Sequence, residues 1–453
     1  MARERRSGFF CKAERWHSCS LICGGRQKKM LEEQTRQTAT LETMLSKENI
    51  TAAWLSVKAN GGAAGVDGKS IRQTGELLRK HWESIKSKLL AGTYRPSAVR
   101  LKDIPKAGGG TRTLGIPTVL DRMIQQAIHQ RLSPLWETEF SEHSHGFRPN
   151  RSAHDAIREG QSYILAGKGW VVDIDLKSFF DEVSHDILMR DVARKVEDKG
   201  LLRLIGSYLR APRQAPDGSR EKRARGTPQG GPLSPLLANI YLDPLDKELE
   251  RRGLSFVRYA DDIAIFTSSE RSAQRVLESV IRWIEKVLKV PVNRDKSGSG
   301  PTDQSSLLGF RLYSDGRIGV APKSIQRMKA RVRALWDAQQ NRTSKELRDQ
   351  WRKFIIGWWN YFKLADGQWE VVDLSGWIRR HMRKCFWLRW SVPRGRRNAL
   401  RRLGITNRSL GMAWSRKGAW PIARHWVMHQ ALPNARLEHY GFTVPWMIAK
   451  AGN

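Results

Sequence analysis

Two adjacent acidic residues constrain the fold of this 453-residue chain more than any other feature. Asp261 and Asp262 lie between two short apolar runs, residues 256–257 and 263–266, that are rich in β-branched and aromatic side chains. Such runs, joined by a short polar segment, predict a β-hairpin with the acids at its tip. Two carboxylates side by side repel each other, so the arrangement indicates a cation that offsets their charge.

A second acidic strand is predicted in residues 170–181, which read Trp-Val-Val-Asp-Ile-Asp-Leu-Lys-Ser-Phe-Phe-Asp. Asp173 and Asp175 are two positions apart, so on a strand both side chains point to one face. An acid from this strand and one from the hairpin could share divalent metal ions, the arrangement that in-line nucleotidyl transfer uses. Only one of Asp173 and Asp175 needs to be a ligand, and their spacing leaves both as candidates.

The charge of the chain indicates a polyanionic partner. The sequence contains 80 Lys and Arg residues against 45 Asp and Glu residues, which gives a net charge of +35 and a pI near 10.6. No uninterrupted apolar run approaches the length of a membrane span, which argues against a membrane role. Nucleic acid therefore fits the positive charge best. The 18 tryptophans could add stacking surfaces, although most are expected in the core.

The two acidic segments resemble the catalytic motifs of reverse transcriptases. Other segments narrow the resemblance to the group II intron-encoded reverse transcriptase/maturase family, in the form that lacks an HNH endonuclease domain. These segments are a glycine-rich loop at residues 60–68, blocks at residues 112–122 and 144–154, the Gly-Thr-Pro-Gln-Gly-Gly-Pro-Leu-Ser-Pro run at residues 226–235, residues 292–297, and a primer-grip hairpin at residues 307–312.

The resemblance implies an α+β fold, a right-hand polymerase. Fingers and palm, built from an antiparallel sheet plus helices, precede an all-helical thumb and a short basic C-terminal domain. We predict a disordered basic leader in residues 1–29, and an N-terminal extension with the start of the fingers in residues 30–110. Reverse transcriptase fingers and palm follow in residues 111–316, the thumb or maturase domain in residues 317–392, and a DNA-binding tail in residues 393–453. Cys11, Cys19 and Cys23 lack metal-site spacing, so no zinc site is expected.

The family's motif also implies roles for individual residues. Its register selects Asp175, together with Asp261 and Asp262, as ligands of two Mg²⁺ ions, and the reverse assignment with Asp173 stays open. Contacts to the incoming nucleotide are expected from Lys106, Arg112, Phe180, Gln229 and Lys296. The ring of Phe180 would exclude a ribose 2′-hydroxyl, its alternative being a core position, and Lys106 could instead lie in a solvated turn.

Basic residues outside the palm are expected to contact nucleic acid. Arg148 could hold template phosphate or could structure the fingers. Three segments with apolar residues at helical spacing, within residues 325–336, 347–358 and 374–386, predict a helical bundle whose opposite faces are basic. The predicted phosphate contacts are Arg379, Arg380, Arg383 and Lys384 in the thumb, and Arg394, Arg396, Arg397, Arg401 and Arg402 in the tail.

Taken together, the motifs predict an RNA-directed DNA polymerase encoded by a group II intron, which copies intron RNA and assists its splicing and mobility. A splicing-only RNA-binding maturase and a retron- or defence-type reverse transcriptase are the alternatives. The implied partners are group II intron RNA, target and primer DNA, the RNA/DNA duplex and deoxynucleoside triphosphates, with no membrane and with a homodimer left open. The expected location is the bacterial cytoplasm, at the nucleoid when DNA is bound, with an organelle as the alternative.

Overall fold

The computed structural model describes residues 39–105, 111–366 and 368–445. The predicted leader at residues 1–29, its three cysteines and Lys106 lie outside the described residues. The backbone of Arg112 is described and its side chain is not.

Helices and strands alternate through the first two thirds of the chain, and helices alone follow. The helices are α1 Leu41–Met44, α2 Lys47–Asn60, α3 Ile71–Leu90, α4 Val119–Glu137, α5 Ala153–Leu165, α6 Phe179–Glu182, α7 His185–Ala193, α8 Lys199–Leu209, α9 Ser234–Arg251, α10 Glu270–Trp283, α11 Pro322–Leu335, α12 Ser344–Phe362, α13 Gln368–Arg389, α14 Pro393–Arg402, α15 Ala419–Ala423, α16 Trp426–Ala431 and α17 Asn434–His439. The strands are β1 Val99–Pro105, β2 Thr111–Ile116, β3 Trp170–Asp175, β4 Arg213–Gln214, β5 Arg220–Glu221, β6 Ser255–Tyr259, β7 Asp262–Thr267, β8 Gly298–Pro301, β9 Phe310–Leu312 and β10 Ile318–Val320. This content confirms the predicted α+β class.

The chain divides into two compact units. The first comprises Met1–Lys102, Leu114–Glu139 and His185–Ile240, and the second comprises Asp103–Thr113, Phe140–Ser184 and Tyr241–Asn453. No helix among the described residues is both long enough and apolar enough to cross a membrane.

A buried carboxylate organises the first unit. Asp121 on α4 accepts hydrogen bonds from the hydroxyls of Thr118 at 2.6 Å, Tyr94 at 2.8 Å and Tyr208 at 3.2 Å, and from the backbone N–H of Ser97 at 3.2 Å. Burial raises the pKa of Asp121, and these bonds oppose the shift. The four donors tie the segment after α3 and the helix α8 to α4, because a buried carboxylate must keep its partners.

The palm sheet lies in the second unit and has the strand order β6-β7-β3-β8. All of its pairings are antiparallel. Strand β3 is paired on both sides and buries Val171, Val172 and Ile174, which fixes its register against β7 from Trp170↔Thr267 onward. The hairpin predicted from the apolar runs around Asp261 and Asp262 is confirmed as β6 and β7.

The predicted thumb helices are confirmed as α11, α12 and α13, and their apolar stripes face one core. That core also contains residues of the tail: Leu400, Ile405, Leu410, Ile422, Val427, Met428, Leu432, Leu437, Phe442 and Val444. Trp351 lies fully buried in it and donates from Nε1 to the carbonyl of Thr443 at 2.7 Å. Thumb and tail therefore share one hydrophobic core.

Candidate active site

The acidic turn between β6 and β7 has an unusual backbone. The strands pair as far as Tyr259↔Asp262, which leaves Ala260 and Asp261 as a two-residue loop. Ala260 has φ +59°, in the left-handed region that glycine usually occupies at the first position of such a turn. A residue with a Cβ persists in that region only where its surroundings hold it there.

One of the groups that hold the turn is a buried ion pair. The side chain of Arg258 is completely buried and donates to both carboxylate oxygens of Asp246 on α9, at 2.7 and 2.5 Å. Its remaining terminal nitrogen donates to the carbonyl of Ala260 at 3.0 Å. The guanidinium thus links Ala260 to helix α9.

A second support comes from the segment before α5. The N–H of His145 donates to the carbonyl of Arg258 at 2.8 Å, and the N–H of Arg258 donates to the carbonyl of His143 at 2.9 Å. Gly146 then lies directly against the turn, because a Cβ built on it would be 2.2 Å from the backbone nitrogen of Ala260. Only glycine fits at this position without a shift in backbone.

Three carboxylates converge near this turn. Asp175 is the cross-strand neighbour of Asp262, and Asp261 precedes it in the loop. Desolvation, together with the negative charges of Asp261, Asp175 and Asp173, raises the pKa of Asp262 to about 6. Crowded carboxylate oxygens of this kind suit a divalent cation, which would offset their repulsion.

The segment after the π-helical turn Ile284–Leu288 brings a cation beside Asp175. The N–H of Asn293 donates to the carbonyl of Asp175 at 2.8 Å. The N–H of Asp175 donates to the hydroxyl of Ser297 at 3.0 Å. These bonds place Lys296 so that its Nζ lies 3.8 Å from Asp175 Oδ2, with the lysine side chain 69% exposed. A mostly exposed ammonium at this position is accessible to an anionic ligand.

The site supplies carboxylate ligands but not a complete protein coordination shell for a metal ion. Within the part of the chain that the structure describes, no group of three or more His, Cys, Asp or Glu side chains is arranged to hold a metal ion. Mg²⁺ usually takes one or two carboxylates and completes its shell with water and substrate oxygens, so the donor set of Asp175, Asp261 and Asp262 fits it.

The other acid of β3 has a different environment. Asp173 accepts a hydrogen bond from the hydroxyl of Ser305, and burial raises its pKa. Asp175 instead keeps a side chain that is 41% exposed. The two positions that spacing left equivalent thus differ in accessibility, which favours Asp175 as the ligand.

Comparison with known proteins identifies the family. The family described as "Reverse transcriptase (RNA-dependent DNA polymerase)" matches residues 104–312, and the "Group II intron, maturase-specific domain" matches residues 325–404. The chain belongs to the group II intron-encoded reverse transcriptase/maturase family. The motif-based assignment is thereby confirmed. Reverse transcriptases generally use a divalent metal, and a maturase-bearing reverse transcriptase binds RNA and DNA.

Three relatives show how far the similarity extends. Protein YkfC of Escherichia coli (strain K12) is 31% identical over 302 residues, which cover 58% of this chain and 79% of YkfC. Group II intron-encoded protein LtrA of Lactococcus lactis subsp. cremoris is 39% identical over 184 residues, 40% of this chain and 30% of LtrA. The putative COX1/OXI3 intron 2 protein of Saccharomyces cerevisiae is 29% identical over 331 residues, 59% of this chain and 38% of that protein. The similarity thus spans only a minor part of the two intron proteins.

Phe180 lies near the carboxylate strand in this reverse transcriptase. Helix α6 begins after Ser178, whose φ is +48°, and carries Phe179 and Phe180 at its start. Phe179 is 2% exposed and packs against Tyr241 with ring centroids 6.1 Å apart, so it belongs to the core. Phe180 is 8% exposed and packs edge-on against Phe179 at 5.3 Å, so its contact with a sugar stays a prediction.

Gln229 lies in the first compact unit, in the loop that precedes α9. Its carbonyl accepts a hydrogen bond from the N–H of Gly115 at 2.8 Å. Gly230 has φ +126°, and a Cβ there would be 2.5 Å from the carbonyl oxygen of Gly115. The glycines of the Gly-Thr-Pro-Gln-Gly-Gly run thus allow the loop to approach the end of β2.

Two of the predicted nucleic-acid contacts are buried. Arg148 donates to the carbonyls of Ser141 at 2.5 Å and Ser144 at 2.9 Å, which supports the alternative in which it structures the loop. Arg383 is only 2% exposed and donates to the carbonyl of Leu432 and to Asn434 Oδ1, both at 3.0 Å. Its guanidinium secures the tail against α13, which disfavours a phosphate contact, and the contact predicted for Arg383 stays a prediction.

The remaining predicted basic contacts keep solvent access. Arg394, Arg397, Arg401 and Arg402 are exposed, and Arg379, Arg380, Lys384 and Arg396 are half-buried. Arg396 lies over the ring of Trp387 at 4.5 Å and Arg397 lies over Trp414 at 5.8 Å. Sequence spacing located this surface, but could not separate its exposed members from Arg383.

Proposed function

We propose that this protein is an RNA-directed DNA polymerase that copies group II intron RNA by two-metal nucleotidyl transfer and assists the splicing and mobility of that intron. The observation that carries the proposal is the cross-strand pair of Asp175 and Asp262, next to Asp261 on a strained and doubly supported turn. The membership of this chain in the reverse transcriptase/maturase family supports the same reaction.

In this proposal, Asp175, Asp261 and Asp262 hold two Mg²⁺ ions. When bound, the metal would lower the pKa of the primer 3′-hydroxyl and offset charge on the triphosphate. Lys296 would donate to a phosphate oxygen from its exposed position beside Asp175. The Arg258 and Gly146 supports would keep the carboxylates of the turn in place, which matters because nucleotidyl transfer depends on positioning.

The other predicted nucleotide contacts act on the sugar, base and phosphates. Phe180 would lie against the deoxyribose and leave no space for a 2′-hydroxyl. Gln229 would hydrogen-bond at the nucleotide or templating base, and Lys106 and Arg112 would bind the triphosphate. These roles rest on the motifs that carry the family resemblance.

The basic thumb and tail suit long nucleic acids. The proposed ligands are group II intron RNA, target and primer DNA, and the RNA/DNA duplex, with deoxynucleoside triphosphates as substrates. Exposed arginines such as Arg394 and Arg401 would contact phosphates, and such contacts weaken steeply with salt. Action on an intron would place the protein in the bacterial cytoplasm and at the nucleoid.

The test is primer extension on an RNA template by Asp261→Ala. We expect no detectable extension, because the shared ligand is lost, while intron splicing at low Mg²⁺ persists through the basic surfaces. Asp315→Ala is the matched control, since it removes an exposed acid of the β9–β10 turn that pairs with Arg317. Normal extension by Asp261→Ala would refute the proposed metal site. Splicing by a wild-type protein that cannot extend primers would favour the splicing-only maturase.

A further inference from the structure

The C-terminal third of the chain contains an exceptional run without acids. From Leu374 to Leu437 the sequence has fifteen Lys and Arg residues and no Asp or Glu. A solvated protein surface normally mixes both signs of charge, so this run favours an anionic ligand along its whole length.

A pocket lies partly in this run, where the start of α12, the end of α13 and the helices α14 and α17 meet. It encloses about 550 Å³, a volume in the range of small-molecule sites. Its walls include Phe386, Trp390 and Tyr440, and its basic lining residues are Lys345, Arg348 and Arg402. None of the described lining residues is acidic.

One aromatic wall of the pocket, the ring of Phe386, is held in place by its packing. Phe386 packs against Phe442 with ring centroids 5.6 Å apart and against Trp336 at 6.1 Å, within the shared thumb and tail core. Trp390 is half-buried at the end of α13, and Tyr440 is 46% exposed. Trp390 and Tyr440 therefore keep exposed aromatic surface on which a planar group can stack, beside the fixed ring of Phe386.

The cations of the pocket are available to phosphate. Lys345 and Arg402 are exposed, and Arg348 is half-buried and pairs with Asp349 at 3.0 Å. The stem of Arg348 lies against Gly441, where a Cβ would be 2.9 Å from its Cδ. Lys345 and Arg402 are therefore the better phosphate ligands, and Arg348 forms part of the wall.

We propose that this pocket binds one unpaired nucleotide of a single-stranded nucleic acid. The base stacks on Trp390 and Tyr440, and the flanking phosphates contact Lys345 and Arg402. Aromatic faces beside a positive rim are the general means of binding single strands, since every base has a π-face. The inference deepens the proposed function and rests on it, because it assumes that the ligand is a nucleic acid.

The test measures the affinity of the full-length protein for fluorescent 12-nucleotide single strands by anisotropy. Each strand is prepared as DNA and as RNA, with and without abasic sites, and a duplex of the same length is measured in parallel. Tyr440→Ala and Trp390→Leu should weaken binding of the intact strands roughly 5- to 150-fold, as expected for loss of one stacked base. Binding of the abasic strand should change little. A larger effect on either the DNA or the RNA strand identifies the source of the nucleotide.

Trp426→Ala is the matched control, since Trp426 is 60% exposed in the same acid-free run and does not line the pocket. Lys345→Gln with Arg402→Gln should weaken intact and abasic strands alike, which separates phosphate contacts from stacking without touching the aromatic walls. Equal losses by Tyr440→Ala on intact, abasic and duplex ligands would overturn the base pocket, as would no loss at all. Primer extension by the wild-type protein is measured separately. Its absence would count against the polymerase proposal and not against the base pocket.

Discussion

The buried pair of Arg258 and Asp246 gives the sharpest test of how the acidic turn is held. We consider Arg258→Met, Asp246→Leu and the double variant. The single Arg258→Met change removes two charge-assisted hydrogen bonds to Asp246 and the one to the carbonyl of Ala260. It also leaves a carboxylate buried without its partner.

The magnitude follows from the complete burial of both side chains. Solvent screens neither charge, so no discount for exposure applies. Breaking a buried ion pair by removing one partner costs about 3–5 kcal/mol, a large share of the roughly 5–15 kcal/mol that stabilises a typical domain. Replacing both partners with apolar residues is often neutral or stabilising, so the double variant should recover most of the free energy of unfolding.

Stability and activity should then separate. The double variant still lacks a donor for the carbonyl of Ala260, so the turn should relax from φ +59° and displace Asp261. Urea unfolding would show both single variants destabilised and the double variant near wild type. Primer extension by the double variant should remain reduced, by up to about 100-fold for a displacement near 1 Å. A double variant that is both stable and fully active would refute the positioning role of Arg258.

Two further predictions concern the segment that backs the same turn. Gly146→Ala should lower primer extension by about 100-fold and destabilise the protein by about 1–3 kcal/mol, because its Cβ would meet the backbone of Ala260 at 2.2 Å. Gly300→Ala is the control, because a Cβ at Gly300 would have no atom within 4 Å. Equal primer extension by the two variants would contradict the reasoning. The hydrogen bond with Glu159 raises the pKa of His143 above 6.5, so its stabilising contribution is complete below pH 6.5 and is lost as pH rises through the folded pKa. The free energy of unfolding of wild type should therefore fall above pH 6.5 relative to that of His143→Asn, and parallel pH curves for the two proteins would exclude this linkage.

Patterning along the chain predicted the palm strands β3, β6 and β7 because each of them carries an apolar run. The run Val171 to Ile174 is apolar around Asp173, and the hairpin strands are apolar on both sides of the acids. Strand β7 is buried at every position after Asp262, so the apolar pattern predicted the strands but not the register that sets Asp175 opposite Asp262. The apolar stripes of the three thumb helices were predictable because their residues recur with the helical period of 3.6.

Side-chain partners far apart in sequence were not predictable. Nothing in the sequence distinguishes Arg258 from other arginines on strands. Its partner Asp246 lies twelve residues earlier, and only the fold brings the two together. Arg383 falls on the polar face of its helix, and its partners lie about fifty residues later in the tail. Spacing reports which face of a helix a residue occupies. It does not report that another segment covers that face.

The common core of thumb and tail bears on how the tail could be exchanged or removed. Trp351 in the thumb binds the backbone of Thr443, and Arg383 binds Leu432 and Asn434. A tail grafted from a relative would need a matching thumb face to replace these contacts. Exchange of the exposed arginines would alter the surface of the tail without disturbing this core. A truncation intended to remove only DNA contacts would instead strip the cover from the thumb's hydrophobic interior.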